Sequence, residues 1–174
     1  MGNVNGTIGG VVLMIFTISL IFVVALLITI VWFLKEALKG PKRALEQLHR
    51  PISDLLSRGF NGGFLIIEHS KTGKFIQFSK YKKSKDNFGI ELAFPKANWS
   101  KSYYSRVKNI CEKYNLNIRE DFSTGEGDLT FLFADFNKDV DSAFEFSKTV
   151  FKDIFKINKT DKVHVRLRNA KATA

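Results

Sequence analysis

Apolar residues run from position 11 to 34 as VVLMIFTISLIFVVALLITIVWFL, 24 residues without a charge, an amide side chain, Gly or Pro. At about 1.5 Å per residue a helix of this length extends roughly 36 Å. A hydrocarbon core of about 30 Å needs about 20 such residues. A core helix of a globular protein is seldom apolar on every face. A cleaved leader has an apolar stretch of about 7–15 residues behind positive charge, and residues 1–10 hold no Lys or Arg. The pattern therefore predicts one uncleaved transmembrane helix over 11–34.

Beyond position 40 the pattern changes twice. Gly40-Pro41 suits a helix end followed by a new first turn. Leu45, Leu48, Ile52, Leu55 and Leu56 then recur on one helical face over 42–58, with Pro51 predicting a kink or a break. From 64 the period becomes two. Strands are expected over 64–70 and 75–81, joined by the turn Lys71-Thr72-Gly73-Lys74, and over 89–94, where Ile90, Leu92 and Phe94 alternate with Glu91 and Ala93. Residues 99–114 return to helical spacing through Tyr103, Val107, Ile110, Cys111 and Tyr114. Strands over 117–122 and 129–134 flank the turn STGEGD, and a last helix begins near Asp139 and runs to about 157. The tail KVHVRLRN alternates and reads as a short strand or an extended arm.

The expected class is α+β: one N-terminal transmembrane helix, then an antiparallel-sheet domain with the order α-β-β-β-α-β-β-α. Its parts are a short non-cytoplasmic N-terminus (1–10), the transmembrane helix (11–34), a basic juxtamembrane helical segment (35–59), the α+β domain (60–158) and a basic tail (159–174).

Charge adds an orientation. The net charge is +10, and residues 35–110 carry all of it, with 16 basic and 6 acidic residues, while 111–174 hold 11 of each. Basic residues follow the apolar run and none precede it, which by the positive-inside rule places the N-terminus outside and the domain in the cytoplasm, at the inner or plasma membrane. Trp32, Lys35, Lys39, Lys42 and Arg43 become the membrane-interface residues, facing an anionic cytoplasmic leaflet. A single cysteine, Cys111, rules out a disulfide scaffold and multi-cysteine metal centres.

The segments KFIQFSKYKKSKDNFGIELAFP, DLTFLFADF and AFEFSKTVFKDIFKI, with a helix ending at Tyr114-Asn115 between the first two, resemble the YbjN and TY-Chap group over about residues 42–157. Those domains share the fold of type III secretion chaperones. The resemblance implies a non-enzymatic domain that dimerises or binds a partner polypeptide. Soluble, acidic secretion chaperones differ from this basic chain with its apolar run.

Motifs for chemistry are sparse. His49, His69 and His164 are far apart, and no nucleophile elbow, zinc-protease or phosphate-loop motif occurs. Asp135-Phe136-Asn137-Lys138-Asp139 opens like a calcium loop, but Val140 replaces the required Gly and Phe146 the required Glu, so helix capping accounts for its acids. No catalytic residue, metal or cofactor is assigned, and no enzyme activity is expected. The candidate binding patch is Lys80, Tyr81, Lys82, Lys83, Lys85, Trp99 and Tyr104, which interleaves cations with aromatics. The expected function is a membrane-anchored cytoplasmic protein-binding module: an adaptor, a chaperone-like domain or an accessory subunit of a membrane complex. Its partners are the lipid bilayer and a protein, a second copy of the chain included. A membrane-tethered nucleic-acid-binding protein using the basic 35–110 region is the alternative.

Overall fold

A computed structural model describes residues 23–31, 33, 38–84, 87–123 and 129–171. The chain divides into two compact units, Met1–Gly40 and Pro41–Ala174.

In the first unit, residues 23–31 and 33 are helical, and Leu26, Ile28 and Phe33 are exposed. Among the described residues no helix is long and apolar enough to cross a membrane. This corrects the expectation of a spanning helix over 11–34, and with it the single-pass topology and the membrane and cytoplasmic assignments. An apolar run fixes composition, whereas crossing needs about 20 residues of continuous helix. The described helical residues of this run, 23–31 and 33, are fewer than that. The remainder of that run, at 11–22, 32 and 34, lies outside the described residues.

The second unit is an α+β domain built on one antiparallel sheet. Its strands are β1 (Lys42–Arg43), β2 (Gly59–His69), β3 (Phe75–Ser84), β4 (Asn87–Pro95), β5 (Asn117–Ser123), β6 (Leu129–Asn137) and β7 (Val163–Ala170). The helices are α1 (His49–Arg58), α2 (Lys101–Lys113) and α3 (Val140–Thr149), the last continuing into a π-helical turn at Val150–Ile154. The seven strands lie in the order β1-β7-β2-β3-β4-β6-β5. The alternating tail is therefore an interior strand: β7 pairs with β2 from Leu167 opposite Leu65 to Val163 opposite His69, and with β1 on its other side. The helix expected over 42–58 forms as a 3-10 turn at Leu45–Gln47 and an α-helix from His49. Lys42 and Arg43 pair with His164 and Val163, which draws this part of the chain into an extended conformation first.

Alternation divides the sheet into two faces. Leu65, Ile67, Ile76, Phe78, Ile90, Leu92, Phe94, Leu132, Ala134 and Phe136 point to one side and are buried. They form a single core cluster with Ile52 and Leu55 of α1, Val107 and Cys111 of α2, and Phe146 of α3. The π-helical turn adds Val150, Phe151 and Ile154 to the same core. Each of the fully buried Phe78, Phe94, Phe146 and Phe151 side chains removes enough apolar surface to contribute about 1.5–3 kcal/mol. Asp139 starts α3 by accepting the backbone N–H of Ser142 at 2.9 Å, and its hydrogen bonds to Ser142 hold its carboxyl below the usual range. The turn after β2 closes through Gly73 at φ +70°, a left-handed conformation that glycine adopts without strain.

Candidate functional site

Among the described residues no helix of this unit lies on the opposite face of the sheet. Register places its side chains in rows across the strands. One row runs Arg166, Ile66, Gln77, Ala93, Phe133 and Arg119 through β7, β2, β3, β4, β6 and β5. The next holds Arg168, Phe64, Ser79, Glu91, Asp135 and Asn117. Where these rows meet β4 to β6 they surround an open cavity of about 320 Å³ lined by Tyr81, Lys83, Glu91, Asn117, Arg119, Phe133 and Asp135.

Two long side chains cross a strand to build its walls. Arg119 on β5 lies over the Phe133 ring, its guanidinium carbon 4.2 Å from the centroid. It reaches Glu91 on β4 at 2.9 Å and also holds Asp121 at 2.9 Å. Phe133 stacks on Phe131, with ring centroids 6.1 Å apart. From the other side Tyr81 on β3 spans β4 and donates its hydroxyl to Asp135 Oδ1 on β6 at 2.5 Å. It can do so because Gly89 lies directly opposite it in β4. A Cβ on Gly89 would come within 2.7 Å of the Tyr81 hydroxyl and 2.8 Å of its ring carbon. An aromatic ring laid over a cross-strand glycine covers bare backbone and pins the register.

Ionisation follows this geometry. Burial pushes the Glu91 carboxyl up, and the Arg119 charge only partly opposes it. Burial also acts to raise Asp135. Hydrogen bonds from Tyr81, Lys83 and the Asn137 backbone N–H together outweigh it, so Asp135 lies below its ordinary value. The Tyr81 phenol is raised by burial and by its bond to Asp135. Lys83 completes the cluster at 2.9 Å from Asp135 and donates to the Asn137 side chain. Asp135 is thus committed to three donors, and Tyr81 holds its proton more tightly than a free phenol. Neither is poised as a base or a nucleophile at neutral pH.

The expected patch is split by the same alternation. Tyr81 and Lys83 belong to the open face. Lys80 points the other way, is buried, donates to the Leu56 carbonyl of α1 and sits over the Phe88 ring. Lys82 is exposed near the end of β3. Trp99 is half-buried against Phe75, Phe94 and Phe155, and Tyr104 is buried with its phenol pushed up to about 12 by burial. These two aromatics are packing residues, which removes them from a surface patch. Of the residues assigned to a membrane interface, Trp32 and Lys35 lie outside the described residues, as does Lys85 of the patch. Lys39 falls at the end of the first unit, and Lys42 and Arg43 form β1. They flank no spanning helix among the described residues.

Glu91, Asn117, Arg119, Phe133 and Asp135 are new to the site. Their signal in the sequence is the polar half of the strand alternation, which reads by itself as a solvated face. Asp135 had a place only in the failed calcium-loop pattern. Among the described residues no group of three His, Cys, Asp or Glu is placed to hold a metal ion. No family model matches the chain, and neither a curated protein nor a solved structure does.

Proposed function

We propose that the Pro41–Ala174 unit is a non-enzymatic protein-binding module that receives a polypeptide partner on the helix-free face of its sheet. One observation carries this reading: the apolar centre of that face, Ile66, Ala93, Phe131 and Phe133, is bordered by three carboxylate–cation pairs made within the chain, with the exposed Arg168 at its β7 margin. Glu91 pairs with Arg119, Asp135 with Lys83, and Glu68 with Arg166 at 2.8 Å. Protein interfaces combine aromatic and Arg side chains with few uncompensated charges at the centre. A nucleic-acid surface needs cations free to neutralise phosphates, and on this face Lys83, Arg119 and Arg166 are engaged by carboxylates. The resemblance to partner-binding chaperone-like domains points the same way.

A photoreactive phenylalanine analogue at position 66 or 131 of the full chain tests the proposal in cells. The expected result is an adduct of one discrete mass from either position, absent when the probe replaces the exposed Lys101 on α2, and lost when Arg119→Glu is added. Adducts of similar yield from all three positions would overturn it. An adduct with the mass of two chains would identify the partner as a second copy.

A further inference from the structure

A second concave surface of this unit lies away from the Tyr81–Asp135 cluster. It is a groove of about 530 Å³ between α1 and the β1–β7 margin of the sheet. Pro41, Pro51, Val165, Leu167 and Ala170 provide its apolar lining, and Arg43, Arg50, Arg58, Lys171 and Asp54 its charges. Four cations therefore face one carboxylate. Asp54 is taken up by Arg58 at 3.5 Å, one helical turn away, and Arg58 also donates to the Lys171 carbonyl at 2.7 Å.

The remaining cations are uncompensated. Among the described residues neither the Arg43 nor the Arg50 side chain has a hydrogen bond or an ion pair, and the Nε of Arg43 is buried with no acceptor. A buried guanidinium N–H without an acceptor costs about 1–3 kcal/mol or more, and buried polar groups are nearly always satisfied. An anion entering the groove supplies the missing acceptor. Cations drawn from β1, both ends of α1 and the end of β7 converge on a single carboxylate, Asp54, already held by Arg58, and this excess concentrates positive potential in the cleft. Guanidinium forks match the tetrahedral oxygens of phosphate, to which they bind two at a time. The groove's volume falls in the range of small-molecule sites, and its apolar lining suits the organic part of a ligand.

We infer that this groove is a binding site for a phosphate-bearing ligand, held by Arg43, Arg50 and Lys171 with Arg58 oriented by Asp54. The inference is independent of the partner surface on the open face. A terminal phosphate can come from a soluble compound or from a phosphomonoester headgroup, so two probes separate the sources.

Inorganic tripolyphosphate is titrated into the full chain by calorimetry at low salt. Vesicles of phosphatidylcholine with 20 mol% phosphatidic acid are then tested by flotation with and without tripolyphosphate. The expected result is saturable 1:1 binding of tripolyphosphate, weakened at least tenfold in Arg50→Gln and in Arg43→Gln and unchanged in Lys101→Gln. Arg50 is exposed, so its variant folds even if Arg43→Gln does not. Vesicle binding that Arg50→Gln and tripolyphosphate both abolish assigns a headgroup source, and vesicle binding insensitive to both assigns a soluble one. Absence of saturable tripolyphosphate binding, or an equal loss in Lys101→Gln, overturns the inference.

Discussion

Replacing Gly89 by Ala should loosen the open face at one defined point. The added methyl would stand 2.7–2.9 Å from three atoms of Tyr81, well inside van der Waals contact. The ring must therefore swing off β4, and its 2.5 Å bond to Asp135 is lost. Overpacking of this kind costs about 1–3 kcal/mol. Losing a hydrogen bond to a charged acceptor costs about 1.5–3 kcal/mol, although Asp135 keeps Lys83 and the Asn137 N–H. Replacing a strand glycine returns about 0.5–1 kcal/mol in backbone entropy. The balance is a destabilisation of about 1.5–5 kcal/mol, readable as a lower urea midpoint at unchanged m-value. The decisive comparison is the same substitution beside Tyr81→Ala. With the ring gone, Gly89→Ala should become neutral or mildly stabilising, so the two changes are strongly non-additive. An equal cost in both backgrounds would refute the account of Tyr81 lying across Gly89.

Other elements yield further expectations. His69 is buried and held below its ordinary pKa by burial, with Asp161 only partly opposing. The unfolded chain therefore takes up this proton first as pH falls. Its contribution to stability should be whole above about pH 6.5 and decline below it, and His69→Gln should flatten that part of a urea-midpoint profile. Lys80 is buried, and burial with the nearby Lys171 charge lowers its pKa, so its charged form is less favoured than that of a free lysine. Lys80→Met should change stability by less than about 1 kcal/mol in thermal or urea unfolding, because the lost bond to the Leu56 carbonyl is offset by removal of a buried charge. Phe146→Ala in the centre of the core should cost about 3–5 kcal/mol by the same measurement.

The sequence exposes one half of this domain far better than the other. Ile90, Leu92 and Phe94, or Leu132, Ala134 and Phe136, announce buried strand faces because an apolar residue at every second position puts all of them on one side of a strand. The α1 and α2 stripes are legible for the same reason at period 3.6. The partners of the intervening residues are not legible. Glu91 meets Arg119 only because β4, β6 and β5 are neighbours, an order set by pairing between distant segments. Lys80 and Tyr81 look like parts of one cationic-aromatic patch, yet adjacency in a strand is what separates them. Trp99 and Tyr104 carry polar atoms that suit a surface, and the aromatic contacts that bury them come from Phe94 and Phe155. Arg43 follows the apolar run closely enough to suit a membrane interface. Its place opposite Val163 depends on a tail whose alternation is compatible with an arm as well as a strand.

Whether a partner covers the open sheet face is measured most directly by hydroxyl-radical footprinting of Phe131 and Phe133, comparing the full chain in intact cells with the same chain purified and dilute. The account predicts that oxidation of both rings falls several-fold in cells while that of Trp99, packed within its own chain, stays the same. Equal oxidation of Phe131 and Phe133 in the two settings would contradict it.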